Sequence, residues 1–144
     1  MNKREEFINE ARTWIGTPFH HQGRAKGRGC DCLGLVLGSA NNIGINPYND
    51  SIAYSHRVHS LTLVENLKKY MNQIKFIDSK PGDILLFFDE TVPVHLGILT
   101  DKGFIHAPAK GTRKVVEHSL NEEWKKKIAL VFRFEGIDNG PTGS

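Results

Sequence analysis

The sequence predicts an α+β fold in which N-terminal helices pack on a C-terminal antiparallel β-sheet. In the first half of the chain, apolar residues recur at helical spacing. In the second half, short apolar runs are separated by turn residues, which indicates strands. This order differs from the alternating strands and helices of a βαβ nucleotide-binding fold. The length suits one domain over residues 1–135, and we expect residues 136–144 to form a disordered tail.

The first predicted helix covers the segment MNKREEFINEARTWIG. Asn2 and Glu5 have the spacing of a capping box, and Gly16 and Pro18 are expected to end the helix. Its apolar residues share one face: Phe7, Ala11, Trp14 and Ile15. This face is therefore expected to pack against the core.

Two further helices are predicted before the sheet. In the segment CLGLVLGSANNIG, five apolar residues have helical spacing, and Gly44 suits a C-terminal cap. Residues 45–60 have no regular pattern. In the segment TLVENLKKYMNQI, Thr62 and Glu65 form a second capping box, and the apolar stripe continues to Met71 and Ile74. We therefore expect a third helix that extends to Ile74.

The remaining elements are strands with one short helix. The segments KPGDILLFFD, VHLGILT and FIHAPA are predicted as strands, and the last two are joined by the turn DKG. The segments KVVEHS and IALVFRF are two more strands, with an amphipathic helix at NEEWKKK between them. Hairpins of this kind favour an antiparallel sheet.

Composition excludes several functions. The net charge is +3, from 19 basic and 16 acidic residues that are interspersed, so we expect no nucleic-acid partner. We expect no membrane span, because no apolar run is long enough to cross a bilayer. The N-terminus is charged throughout and lacks the apolar region of a signal peptide. We therefore expect synthesis in the cytoplasm and export by some means other than a leader.

The segment GCDCLGLV contains both cysteines. Cys32 is predicted in the first turn of the second helix, where free N–H groups lower the pKa of a thiol, so it is the better nucleophile. Cys30 lies before the helix, and a disulfide between the two would be strained. Gly34 would let another element come close to the cysteine. Two alternatives stay open: a pair of small buried apolar residues, or a metal site shared with histidines.

Two of the seven histidines lie on neighbouring predicted strands. With a two-residue hairpin loop, Thr100 pairs with Gly103 and Gly97 pairs with His106. His95 then lies diagonally on the same face as His106, about 7–8 Å away. Gly97 would leave space for the ring of His106. Such a pair suits a relay in which one imidazole takes a proton from a thiol and the second orients the first.

Three other histidines are interpreted as ordinary surface or capping residues: His56, His59 and His118. The thiol on a helix N-terminus and the two histidines on the facing sheet are typical of a papain-like nucleophile site.

With these residues in place, the chain resembles the NlpC/P60 family of cell-wall cysteine peptidases. Five ordered segments carry the resemblance: WIGTPF, DCLGLV, KPGDILLF, HLGIL and FIHA. The resemblance implies a papain-like fold and hydrolysis of amide bonds in peptidoglycan stem peptides. It implies that Cys32 is the nucleophile, His95 the base and His106 the residue that orients His95. No metal or organic cofactor is implied.

A narrower resemblance connects the chain to the phage-type branch of this family, which occurs in tail and gene-transfer-agent gene clusters. The segments GTPFHHQG, CDCLGLV, HLGIL and WKKKIALVFRF carry it. It implies a phage-like particle component that opens peptidoglycan during delivery, with tail or hub proteins as partners.

One departure from the family concerns substrate binding. The family usually has Tyr where this chain has Phe19, and that hydroxyl helps to bind the substrate carbonyl. We expect the Cys32 N–H to be one oxyanion donor. His20, His21 or Gln22 could supply the second, so all four loop residues are candidates for substrate binding. The departure also keeps an alternative open, a structural tail-tip or hub protein that binds peptidoglycan or neighbouring subunits without cutting.

Overall fold

The computed structural model describes residues 1–45, 60–89 and 92–139, and within them the chain forms helices and a large sheet. The helices are α1 (Lys3–Arg12), α2 (Cys32–Asn42), α3 (Ser60–Lys68) and α4 (Glu122–Lys125). The strands are β1 (Arg24–Ala25), β2 (Gly29–Cys30), β3 (Met71–Ile74), β4 (Ile84–Asp89), β5 (Val92–Leu99), β6 (Phe104–His106), β7 (Val116–His118) and β8 (Ile128–Phe134). Six strands form one antiparallel sheet in the order β3-β8-β4-β5-β6-β7, and β1 pairs with β2. The predicted α+β class with an antiparallel sheet is confirmed.

Helix α1 begins as the sequence predicts and ends earlier. The side chain of Asn2 accepts a hydrogen bond from the Glu5 N–H at 2.8 Å. The helix ends at Arg12, and the chain then turns through Gly16, whose φ of 94° lies in the left-handed region. Ile15 is therefore rotated into solvent, and its predicted place on the buried face is wrong.

The third helix differs from its prediction at both ends. Helix α3 begins at Ser60, so Thr62 lies inside it and is not its cap. It ends at Lys68, and the residues from Met71 to Ile74 form strand β3, paired with β8. The partner strand is about 60 residues away in sequence, so local periodicity carries no signal of this pairing. Residues 46–59, with His56 and His59, lie outside the described residues.

The strands that carry the site follow the predicted register. Gly97 pairs with His106, and the Thr100 N–H donates to the Gly103 carbonyl at 2.8 Å. On the neighbouring strand, Phe87 pairs with His95, and a register shift follows between Phe87 and Phe88. The predicted hairpin is therefore confirmed, with both histidines near one end of the β5–β6 ladder.

Side chains alternate between the two faces of the sheet. One face, here called the inner face, packs on α1, α2 and α3 in a large apolar cluster that contains Leu96, Ile98 and Ile105. The other, here called the outer face, has a small cluster that contains Phe87 and Phe104 and is covered by Trp124 of α4 and its neighbours. Helix α2 is buried along most of its length and forms the centre of the inner cluster.

The segment after β8 packs against the domain through residue 139. Ile137 is buried in the inner cluster, and Asp138 accepts from Arg4 at 2.6 Å. Arg4 also contacts the buried carboxylate of Asp83 at 3.0 Å. The first part of the expected tail therefore contacts the domain at Ile137 and Asp138, and residues 140–144 lie outside the described residues. None of the described helices has the length and apolar character that a membrane span requires.

Candidate active site

The first turn of α2 is organised by Asp31. Its Oδ1 accepts the Gly34 N–H at 2.8 Å, so Asp31 is the N-cap, as its position before the helix predicts. Its Oδ2 accepts the Gln22 N–H at 2.7 Å. One carboxylate therefore fixes both the start of α2, where Cys32 lies, and the loop that precedes β1.

The same loop packs closely on the helix. The Asp31 N–H donates to the Gly23 carbonyl at 3.2 Å, and a Cβ added at Gly34 would collide with that carbonyl oxygen. The close approach that we predicted at Gly34 is confirmed. A residue larger than glycine would push the loop away from the cysteine.

The sulfur of Cys32 lies beside strand β5. It is half-buried, and the Leu96 N–H donates a hydrogen bond to it. The described β5–β6 pairing ends at Gly97 and His106, so the sulfur lies beside the part of β5 that extends beyond this ladder. This contact brings the thiol next to the residue that follows His95.

The acidity of Cys32 differs from the prediction. Loss of water contact raises the pKa of its thiol to about 12, and the charge of Asp31 adds to the rise. The N–H groups of Leu96, Leu33 and Cys32 itself lower the pKa but only partly offset these effects. The expected lowering by the helix terminus is therefore outweighed by burial beside a carboxylate, and the resting thiol is protonated.

Cys30 lies in a different environment. It is fully buried in the inner cluster, and burial raises the pKa of its thiol to about 12, with Asp31 again contributing. Its N–H donates to the Pro18 carbonyl, and its carbonyl accepts the His20 N–H. Neither cysteine forms a disulfide. Cys30 packs as a small core residue, as the sequence indicates.

The two predicted histidines contact each other on the outer face. Nε2 of His95 lies 2.8 Å from Nδ1 of His106, with the ring planes at 80°. His106 is 3% exposed, and burial lowers the pKa of its imidazole to about 3, with further lowering from His95 and His118. His106 is therefore neutral near pH 7. The structure confirms the same-face arrangement expected from the hairpin register.

Aromatic rings surround this pair. The ring centroid of Trp124 lies 5.2 Å from that of His106 and 6.3 Å from that of His95. Phe104 lies 4.5 Å from His106. The space at Gly97 is filled by the rings of Phe104 and Phe87, at 2.9 and 3.2 Å from an added Cβ, so its predicted role of making room for His106 is wrong.

Sequence reasoning missed Trp124 and His118 as neighbours of the site. His118 is exposed, but its ring centroid lies 5.9 Å from that of His106. The only sequence signal for Trp124 is a tryptophan among charged residues in NEEWKKK, which is equally typical of an amphipathic helix.

The four candidate substrate-binding residues lie on the loop beside Cys32. Phe19 is half-buried against the inner cluster, and its N–H donates to the Arg113 carbonyl. His20 is exposed, with Nδ1 at 3.0 Å from the His21 carbonyl oxygen. Gln22 is exposed with φ 60°, and its N–H is already engaged by Asp31. His21 is half-buried, and its charge lowers the pKa of Asp31, although burial raises that pKa overall.

Metal-binding groups were predicted as an alternative use of the cysteines and histidines. In residues 1–45, 60–89 and 92–139, no three His, Cys, Asp or Glu side chains are grouped so that they could hold a metal ion.

Comparison with models of protein families shows which family this chain belongs to. A model of the NlpC/P60 family matches residues 16–133 of this chain. The chain belongs to the NlpC/P60 family. The match begins after α1 and includes the loop, α2 and all but the last residue of the sheet.

Several solved structures have the same fold. The NlpC/p60 domain of the peptidoglycan hydrolase SagA has a TM-score of 0.63 and 21% identity, over 89% of this chain and 96% of that chain. The peptidoglycan hydrolase RipB from Mycobacterium tuberculosis has a TM-score of 0.62 and 19% identity, over 92% of this chain and 65% of that chain. At these identities the likeness shows the fold.

A further similar structure is that of a lipoprotein-like NLP/P60 family protein from Staphylococcus aureus, with a TM-score of 0.64 and 17% identity. The match covers 92% of this chain and 41% of that protein, so this chain spans less than half of its length. No curated protein matches the chain.

Proposed function

We propose that this NlpC/P60 protein is a cysteine peptidase that hydrolyses amide bonds in the stem peptides of peptidoglycan. Two observations together carry the proposal: the contact between His95 and His106, and the hydrogen bond that the sulfur of Cys32 accepts from the N–H of Leu96, the residue after His95. Similar domains belong to the peptidoglycan hydrolases SagA and RipB, which supports the same class of substrate.

In the proposed mechanism, Cys32 is the nucleophile and His95 the base. Because burial raises the thiol pKa to about 12, the proton must leave as the sulfur attacks. The sulfur forms a bond to the amide carbonyl carbon, and the thiol proton moves to His95. His95 then gives this proton to the leaving amine as the C–N bond breaks. A water molecule, deprotonated by His95, hydrolyses the thioester and restores the thiol.

His106 is proposed to orient His95. The contact at 2.8 Å between their ring nitrogens uses Nε2 of His95, so Nδ1 is the nitrogen left to exchange a proton with Cys32. A neutral His106 can hold the imidazolium of His95 by a hydrogen bond without adding a second charge. This division of roles matches what a nucleophile, base and orienting residue require.

The N-terminal end of α2 is proposed to stabilise the oxyanion. The Cys32 N–H lies in the first turn of α2, beside the sulfur whose pKa it lowers, and the N–H groups of a first turn are not bonded to carbonyls of their own helix. Phe19 has no hydroxyl, so the second donor is proposed to come from the side chain of His20, His21 or Gln22. The Gln22 N–H is excluded from this role, because Asp31 accepts it.

The setting in a phage-like tail remains a prediction from sequence motifs. In that setting the protein would be assembled with tail or hub proteins and would act locally on the cell wall. The alternative is a tail-tip or hub protein that binds peptidoglycan and does not cut it.

The test is a digest of purified peptidoglycan with the wild-type protein, Cys32→Ala and the matched variant Cys30→Ala, with released fragments identified by mass spectrometry. We expect fragments from the wild type and from Cys30→Ala, and none from folded Cys32→Ala. Fragments from Cys32→Ala would overturn the assignment of the nucleophile. No fragments from any of the three, with all folded, would favour the non-cutting alternative.

A further inference from the structure

The second ring nitrogen of His106 lies in aromatic surroundings. His106 Nε2 is buried and has no hydrogen-bond partner within the part of the chain that the structure describes. The rings of Phe104, Trp124 and His118 pack around His106, with centroids at 4.5, 5.2 and 5.9 Å. The Trp124 and His106 planes meet at 74°, an edge-to-face arrangement. This nitrogen can carry either a proton or a lone pair, and none of the described residues offers it an oxygen acceptor.

The position of the His106 proton matters for His95. When both rings are neutral, only one of the two contacting nitrogens, Nε2 of His95 or Nδ1 of His106, can carry a proton. If His106 carries it on Nδ1, then His95 accepts at Nε2 and must hold its own proton on Nδ1. Nδ1 is the nitrogen proposed to receive the proton of Cys32, so this tautomer is unproductive. If His95 donates from Nε2, its Nδ1 is unprotonated, and His106 must carry its proton on Nε2.

Aromatic surroundings favour the productive tautomer. The face of an aromatic ring is negative, so it attracts an N–H and repels a nitrogen lone pair. Indole has the largest such face of the natural side chains, and Trp124 contacts both histidine rings. We infer that Trp124 is a positioning residue that keeps the proton of His106 on Nε2 and thereby keeps Nδ1 of His95 unprotonated, the form that can accept the thiol proton.

The fold holds Trp124 in this place by several contacts. Asn121 caps α4 and accepts the Trp124 N–H at 3.0 Å. The indole ring packs on Phe87 and Phe104 with centroids at 5.2 and 5.0 Å. Lys127 Nζ lies 4.9 Å from the ring centroid, a cation–π distance.

The catalytic meaning of the inference rests on the proposed function, but the tautomer itself is a property of the resting protein.

The first test is therefore independent of activity. Nitrogen-15 NMR of the imidazole rings near pH 7 distinguishes a protonated from an unprotonated ring nitrogen at each histidine. In the wild type we expect the proton on Nε2 of both His95 and His106. In Trp124→Leu, which keeps an apolar side chain without a π face, we expect the Nδ1 form of His106 to become populated. Trp124→Phe should keep the wild-type tautomer, and the remote Phe76→Leu serves as a control.

Kinetics provide the second test. We expect Trp124→Leu to lower kcat/KM on peptidoglycan peptides about fivefold, mainly through kcat. Trp124→Phe, which keeps an aromatic face, should retain most of the wild-type kcat/KM. A wild-type His106 protonated on Nδ1 would overturn the inference, whether or not Trp124→Leu folds. So would a folded Trp124→Leu with the wild-type tautomer. If the tautomers behave as expected but no variant or wild type cleaves, the proposed function fails and the structural inference stands.

Discussion

The two faces of the sheet differ in what they contribute. The inner face lies under α1, α2 and α3 and holds most of the buried apolar side chains, among them Leu96 next to His95. Among the described residues, the outer face has four fully buried apolar ones, covered by half-buried ones such as Trp124. It also carries both histidines of the site. Apolar burial on the inner face is therefore expected to supply most of the stability, whereas the outer face also buries a titratable ring, that of His106.

Adjacent residues of β5 demonstrate this division. Leu96 points to the inner cluster, and His95 contacts Phe87 and Trp124 on the outer face. The thiol of Cys32 comes from the helix side and meets the strand at the Leu96 N–H. The candidate site therefore takes its thiol from the helix side of β5 and its histidines from the outer face. Substitutions on one face alone should change either activity or stability, but not both equally.

The largest expected effect comes from a pair of neighbouring substitutions. His95→Ala should reduce kcat/KM by about 10³-fold, the usual worth of a general base, with little loss of stability. Leu96→Ala keeps its N–H but should lower the free energy of unfolding by about 2–5 kcal/mol, with cleavage retained below the melting temperature. Urea unfolding and peptidoglycan digestion of both variants measure this. Equal loss of stability in the two would contradict the division between faces.

The next effect concerns pH. His106 has a pKa of 6.5 when unfolded and about 3 when folded, so the unfolded chain binds more protons between these values. Stability should therefore fall as pH decreases from 6.5 towards 3, by up to about 1.4 kcal/mol per pH unit. Urea unfolding of His106→Leu should give a flatter acid profile, whereas exposed His20→Gln should keep the wild-type slope. If the free energy of unfolding of His106→Leu falls with decreasing pH as steeply as that of the wild type, groups other than His106 cause the loss of stability in acid.

A smaller effect is expected where the loop meets α2. Gly34→Ala should destabilise the protein by about 1–3 kcal/mol, because the added methyl collides with the Gly23 carbonyl. It should also lower activity, since the loop beside Cys32 must shift. Ser39→Ala in the same helix is the matched control: the buried Ser39 Oγ has no hydrogen-bond partner among the described residues, so its loss should be near neutral. Thermal unfolding and peptidoglycan digestion compare the two variants. Equal melting temperatures would show that the loop can move away from Gly34 at little cost in free energy.

The smallest effect is a shift in thiol reactivity. Asp31→Asn keeps a side-chain oxygen for the Gly34 N–H, loses the oxygen that accepts the Gln22 N–H, and removes the charge that raises the pKa of Cys32. In a Cys30→Ala background, the pH midpoint of alkylation by iodoacetamide should move down by about one unit. Wild-type alkylation that is already complete at acidic pH would instead mean that the thiol loses its proton to His95 at rest.

Local chemistry explains how much of the site could be predicted. The Asp31 cap, the close approach at Gly34 and the hairpin register that joins His95 to His106 depend on residues no more than 11 positions apart. The raised pKa of Cys32 could not be predicted in this way, because it depends on how much water the folded loop and sheet exclude. The cover of Trp124 over the histidines depends on α4 folding back onto strands that precede it.

By itself, the sequence determined the fold class, the start of each of the first two helices, the β5–β6 pairing and the family. The first three features follow from periodicity, capping and turn residues, whereas the family follows from the resemblance of five ordered segments to the NlpC/P60 pattern. Only the tertiary structure decided that the segment from Met71 to Ile74 is a strand and that Ile15 is exposed. It also decided that Trp124 packs against the two histidines of the site. Hydrogen bonding to a distant strand and exclusion of water are properties of the assembled sheet, and no local pattern encodes them.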